Sequence, residues 1–151
     1  MERITSFCVD HDKITEGIYV SRIDGDVVTY DLRTRIPNGG DYMDAITMHS
    51  MEHMFATYVR NSEIGDKILY FGPMGCRTGF YLLVRSVPNE AVLDVVKDVL
   101  GKIIAHDGEM FGQSRKECGN YQELDLAAAK IEAVRYLDIL NRCPVTFQYP
   151  D

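Results

Sequence analysis

His49-Ser50-Met51-Glu52-His53 sets two imidazoles four residues apart, with a carboxylate immediately before the second. On a helix, residues i and i+4 share a face, with Cβ atoms about 5–6 Å apart. Rings so placed reach one metal ion at about 2.0–2.1 Å. Glu52, at i+3 from His49, falls on the same side, where a carboxylate beside a metal-bound oxygen can shuttle a proton. The order H-x-x-E-H is the inverted form of the zincin signature. The bland alternative is two ordinary histidines on a solvated helix face. The intervening Glu52 favours the metal site.

A catalytic metal usually takes three protein ligands and keeps one position open. His11, His106, Cys76, Cys118 or a carboxylate is open as the third ligand on spacing alone. In Glu117-Cys118-Gly119-Asn120-Tyr121, Gly119 gives the backbone freedom to aim the sulfur. That places Cys118 slightly ahead of its rivals, against the alternative of a buried loop cysteine. Cys76 sits among Gly72, Pro73, Gly75 and Gly79 and is followed by Arg77. Such a turn exposes a thiol beside backbone N–H groups, which lowers its pKa, and an inward Arg77 would lower it further. The resulting thiolate can act as a base or a nucleophile. Cys8, in an apolar N-terminal segment, and Cys143, at a helix end, are assigned no role.

These side chains need a frame. Asp41 and Asp44 mark a helix start, and Ala45, Met48, Met51, Phe55 and Tyr58 recur at the helical period until Asn61 and Gly65. Gly17 to Asp24 and Asp26 to Arg33 alternate apolar and polar residues around an Asp24-Gly25 hairpin signal. Pro37-Asn38-Gly39-Gly40 reads as a loop. Lys67 to Phe71 and Gly79 to Ser86 read as strands separated by the Gly72–Cys76 break. A second helix follows Pro88, with Asn89 expected as its cap and Val92, Val95, Val96, Val99, Leu100 and Ile103 as its stripe. Ala105 to Tyr121 is irregular. A third helix is expected from Asp125 to about Asn141, with Ile131, Val134, Leu137 and Leu140 inward, before Pro144 forbids continuation. The order hairpin, helix, two strands, two helices predicts an α+β fold. Its antiparallel sheet carries helices on one face, as a single-domain two-layer sandwich over residues 1–151.

With 151 residues the chain can build one sizeable core. A net charge of −7 and the lack of a basic cluster argue against nucleic acid as a partner. No apolar run approaches the roughly 20 residues that span a bilayer, so no membrane is expected. Met-Glu-Arg-Ile-Thr-Ser lacks the regions of a signal peptide, and a cytoplasmic location is expected. In that reducing setting the four cysteines are free thiols, ligands or nucleophiles rather than a disulfide framework.

Three motifs stand in order: His49-Ser-Met-Glu52-His53, Gly72-Pro-Met-Gly-Cys76-Arg-Thr-Gly-Phe-Tyr81 and Glu117-Cys118-Gly-Asn-Tyr121. Together with Ser6-Phe-Cys-Val-Asp-His11 and Asp31-Leu-Arg33, they resemble S-ribosylhomocysteine lyase, the family of autoinducer-2 synthesis, over nearly the whole chain. The resemblance implies a metal held by His49, His53 and Cys118, with Glu52 and Cys76 as acid/base groups. It implies Fe²⁺ in the cell, with Zn²⁺ or Co²⁺ as substitutes. It further implies a homodimer with the active site between subunits, where Ser6, His11 and Arg33 hold the sugar. Arg60, seven residues beyond His53 and about 10 Å along the helix, is a candidate for the carboxylate of the homocysteine half. One departure is visible: Tyr70 and Phe71 stand where some members carry an acidic residue.

The implied reaction moves a ribose carbonyl from C1 toward C3 by enolisation, then expels homocysteine by β-elimination. It needs a Lewis acid and proton-moving bases, and no redox cofactor. Two rivals remain open: a small inverted-zincin peptidase in which Glu52 activates water, and a non-enzymatic domain stabilised by its metal.

Overall fold

The computed structural model describes all 151 residues. Strands β1 (Gly17–Asp24) and β2 (Val27–Arg33) pair antiparallel from Gly17 opposite Arg33 to Asp24 opposite Val27. Gly25 supplies the left-handed backbone, φ 62°, that their two-residue turn requires. Strands β3 (Ile68–Pro73) and β4 (Gly79–Arg85) complete an antiparallel sheet of order β1-β2-β4-β3. Helix α1 (Ala45–Arg60) separates β2 from β3, and helices α2 (Asn89–Ala105) and α3 (Leu126–Arg142) follow the sheet. The expected α+β sandwich is the architecture found.

Side-chain alternation sorts the sheet into two faces. Ile18, Leu32 and Phe80 lie in register on one face, beside Tyr30 and Leu82. All five are buried with Met51, Met54 and Phe55 of α1, Val96 and Val99 of α2, and Tyr136 of α3 in one core. Phe71 stacks between Phe55 and Phe80, at 4.4 and 5.0 Å between ring centres. Burial of side chains this large contributes about 1.5–3 kcal/mol each. This packing holds α1, and therefore the His-Glu-His face, rigidly against the sheet.

The other face carries Tyr19, Asp31 and Tyr81 in register, with Arg33 flanked by Gly17 and Gly79. A Cβ at Gly79 would stand 2.6 Å from the Leu32 carbonyl oxygen, so only glycine allows β2 and β4 to close around Arg33. No helix covers this end. The C-terminal segment does: the Val20 N–H donates to Phe147 O at 2.8 Å, and Tyr149 stacks on Tyr19 at 4.9 Å.

Three local expectations need correction. The Asn89 side chain does not cap α2; its Oδ1 instead accepts the Tyr30 hydroxyl at 2.5 Å, and Pro88 holds the cap position. Gly72 and Pro73 belong to β3, because Pro73 needs no donor where β3 forms the sheet edge. Ile131 and Val134 point outward, at 70% and 52% exposure. The buried face of α3 is Ala129, Glu132, Ala133, Tyr136, Ile139 and Leu140. Two of these are polar groups whose partners lie far away in sequence. Glu132 meets Arg35, and the Tyr136 hydroxyl donates to Gly17 O.

Candidate active site

Helix α1 presents His49 and His53 side by side, ring centres 4.6 Å apart and planes perpendicular. Asp44 starts this helix by accepting the Thr47 N–H at 2.7 Å, which holds its carboxyl below the usual range. Cys118, on the irregular segment before α3, brings its sulfur to 3.3 Å from His49 Nε2. The ligand atoms of His49, His53 and Cys118 lie within 4.8 Å of one another, and all three residues are half-buried. Of the five third-ligand candidates, Cys118 is therefore the one brought to the two histidines.

The donor set is prepared for a cation. His49 Nδ1 is 3.0 Å from Glu123 O, and His53 Nδ1 is 2.9 Å from Phe111 O. A carbonyl oxygen only accepts, so each Nδ1 carries the hydrogen and each Nε2 keeps its lone pair. This is the outer support that orients metal-ligating histidines. The Asn120 N–H points at the Cys118 sulfur at 3.4 Å and supports a thiolate there. For a tetrahedral metal with the usual Zn–N and Zn–S lengths, roughly 3.5 Å separates an imidazole nitrogen from a sulfur. The 3.3 Å seen between His49 and Cys118 fits. Two nitrogens and one sulfur suit Fe²⁺, Zn²⁺ or Co²⁺ and disfavour Mg²⁺.

Two neighbours of the cluster are invisible to motif reading. A Cβ at Gly112 would lie 2.9 Å from His53 Nδ1, and Gly112 has φ 66°. Ser50, fully buried between the two histidines in sequence, accepts the Asp125 N–H at 2.8 Å and ties α1 to the start of α3. Ser50 stood inside the motif but carried no signal of this contact. Gly112 stood in an irregular stretch where any glycine reads as a loop residue. Glu52 is half-buried on the same helix.

Cys76 occupies a second cluster. It is exposed at the β3–β4 turn, with its sulfur 3.0 Å from Thr78 Oγ1. Arg33 Nη1 donates to the same Oγ1 at 2.8 Å, and Arg33 Nε and Nη2 clasp Asp31 at 3.0 and 2.6 Å. Burial opposes the Arg33 charge, but the two bonds to Asp31 outweigh it and hold the guanidinium protonated. Arg77, expected as a possible inward cation, turns away and lies over the Tyr42 ring at 5.7 Å. The buried cation behind Cys76 is therefore Arg33. Ser6, His11, Arg33 and Cys76 line one cavity of about 340 Å³ with Tyr81 and Met74. That cavity shares no residue with the depression beside Cys118, of about 260 Å³. Arg60 lies in neither. It is exposed at the end of α1, with Nη2 3.4 Å from Leu69 O. Tyr70 is exposed and Phe71 is buried in the aromatic stack, so neither position carries a charge.

His106, another third-ligand candidate, is committed elsewhere: Nδ1 is 2.7 Å from the Tyr58 hydroxyl and Nε2 is 2.8 Å from Glu109 O. No helix is long and apolar enough to cross a membrane.

The chain is similar to known proteins over nearly its whole length. The chain is 44% identical over 146 residues to an S-ribosylhomocysteine lyase of Finegoldia magna, covering 93% of each chain. It is 44% identical over 147 residues to one of Borreliella burgdorferi, covering 93% of this chain and 94% of that one. It is 38% identical over 159 aligned positions, spanning both chains in full, to one of Clostridium beijerinckii. A model of the S-ribosylhomocysteinase (LuxS) family matches residues 4–143, and the chain belongs to that family.

Proposed function

We propose that this chain is a metal-dependent lyase that converts S-ribosylhomocysteine to homocysteine and 4,5-dihydroxy-2,3-pentanedione, the autoinducer-2 precursor. The observation that carries the reading is the His49–His53–Cys118 cluster, with both Nδ1 atoms already held by carbonyls. A divalent cation, Fe²⁺ in the cell with Zn²⁺ or Co²⁺ as substitutes, would be held by these three residues and would supply Lewis acidity to the sugar oxygens when bound.

The chain's own groups move the protons. Cys76, as a thiolate above the Arg33–Thr78 pair, takes a proton from the carbon beside the carbonyl and returns it to the neighbouring carbon. Repetition carries the carbonyl from C1 to C3. Loss of the C4 proton then places its electron pair between C4 and C5, and the C5–S bond breaks with its electrons on sulfur. Glu52 is the group assigned to proton transfer at the sugar and sulfur atoms on the α1 side. Ser6 and His11 hold the sugar in the Cys76 cavity. Arg60, a free-standing cation at the α1 terminus, is assigned to the substrate carboxylate.

A homodimer with the site between subunits follows from the same reading. Within one chain the Cys76 cavity and the Cys118 depression stand apart. Phe7, Ile46, Ile131 and Val134 expose apolar surface that a second copy could cover. A cytoplasmic location completes the proposal.

The test is thiol release from S-ribosylhomocysteine, read with a colorimetric thiol reagent. Release that chelation abolishes is expected, with Cys76→Ala and Glu52→Gln inactive yet metal-loaded. Peptide cleavage would favour an inverted-zincin enzyme instead. Metal binding with no turnover would leave only a metal-stabilised domain.

A further inference from the structure

The last eight residues, 144–151, lie outside the stretch matched by the family model, yet they are docked into the site's supporting structure. Phe147 takes a left-handed backbone, φ 61°, and is buried edge-on to Tyr30 on the helix-covered face. Two residues later Tyr149 lies against Tyr19 and Asp31, on the opposite face. The segment thus hooks around the β1 edge and changes face, and the unusual backbone at Phe147 is where it does so.

The Tyr149 hydroxyl donates to Asp31 Oδ2 at 2.7 Å. Asp31 is fully buried and its other partner is Arg33. Arg33 donates onward to Thr78, whose hydroxyl is 3.0 Å from the Cys76 sulfur. An unbroken chain of contacts therefore runs Tyr149–Asp31–Arg33–Thr78–Cys76. Burial, and then the charge of Asp31, push the Tyr149 phenol up, so it stays a donor at neutral pH.

We infer that Tyr149 is a positioning residue for Cys76, acting through Asp31, Arg33 and Thr78 from a C-terminal strap. The inference rests on the assignment of Cys76 as a proton-transfer group. The phenol neutralises part of the Asp31 charge. Without it, Asp31 draws Arg33 more strongly, weakens its reach to Thr78 and presents more negative field to the thiolate. The other titratable groups facing Cys76 are Tyr81 from β4, His11 from the N-terminal segment and Tyr42 ahead of α1, and none of them lies on the strap. Arg77 is turned to Tyr42 and feels Asp44 at the start of α1.

The experiment follows alkylation of Cys76 by iodoacetamide against pH, quantified by mass spectrometry of its peptide, in the metal-loaded protein. Tyr149→Phe is expected to raise the Cys76 midpoint by roughly half a pH unit or more, and to lower kcat several-fold near neutral pH with KM little changed. Removal of residues 144–151 should do the same. Gln148→Ala, exposed on the same strap, should leave the profile unchanged. An unmoved midpoint in Tyr149→Phe, or an equal shift in Gln148→Ala, overturns the inference even if turnover is normal. Thiol release that survives Cys76→Ala overturns the assignment beneath it instead, and the alkylation profile still reports on Tyr149.

Discussion

Gly112 stands so close to His53 that a single added methyl would lie 2.9 Å from the Nδ1 atom. That nitrogen is the one held by Phe111 O, the residue just before. The glycine therefore lets the backbone approach the ring and fix its tautomer. Its left-handed φ of 66° adds a second cost to any substitution.

Gly112→Ala should leave the fold intact and weaken the metal site. Loss of outer support typically costs about 10–100-fold in metal affinity. A competition titration with Zn²⁺ and a chromophoric chelator reads this directly. Equal affinity in the variant would show that the Phe111 contact does not govern His53.

Cys118 is the soft donor of the proposed metal set. Substitution Cys118→Ala leaves two imidazoles, which should drop metal retention after dialysis well below one ion per chain. In the Co²⁺ form, the sulfur-to-cobalt absorption of the parent should vanish, whereas Cys8→Ala and Cys143→Ala, both at exposed thiols, keep it. If the band survives in Cys118→Ala, the sulfur at position 118 is not a ligand.

Much of this was legible because local rules and tertiary packing agree. The Gly25 turn and the Val stripe of α2 found the environments their patterns imply, while the α1 stripe did so in part: Met51 and Phe55 are buried, Met48 and Tyr58 half-buried and Ala45 exposed. The H-x-x-E-H spacing put His49 and His53 side by side because helix geometry alone brings them together. The face of α3 was misread because burial there is bought by partners: Glu132 is inside on account of Arg35, while Ile131 and Val134 are outside. Periodicity scores only apolarity and misses a paired charge. Gly112, Ser50 and Tyr149 were illegible for a related reason. Each acts through a contact made across the fold, to His53, Asp125 and Asp31.

Helix α1 owes its start to Asp44, so Asp44→Ala should destabilise the protein by about 0.5–2 kcal/mol. For a chain of this length each kcal/mol lowers Tm by about 2–4 °C. The effect should depend on pH. The Thr47 bonds hold the Asp44 pKa below its ordinary 3.8. The folded state thus favours the carboxylate, so its contribution is full above that ordinary value and is lost as pH falls through the lowered one. Thermal melts of parent and variant should differ at pH 7 and converge under acid. A difference that persists at the lowest pH would rule out the charge as the source.

Arg35 and Glu132 form a buried ion pair, with Nη1 2.6 Å from Oε1 and side chains only 11% and 2% exposed. Burial pushes the Glu132 pKa above its ordinary 4.5, although Arg35 pulls the other way. Arg35→Met removes that pull and strands the carboxylate, which should cost about 3–5 kcal/mol. The double variant Arg35→Met/Glu132→Leu should recover most of the loss, since two apolar groups of similar volume need no partner. The pH dependence is opposite in sign to that of Asp44. With the folded pKa raised, the folded chain binds the proton more tightly, so stability from this group is fullest below the ordinary value and is lost as pH rises through the folded one. Glu132→Gln should remove that slope while keeping a hydrogen bond to Arg35. Urea melts across this pH range decide the matter: a double variant no more stable than Arg35→Met would mean that the pair is required for packing, beyond satisfying its own charges.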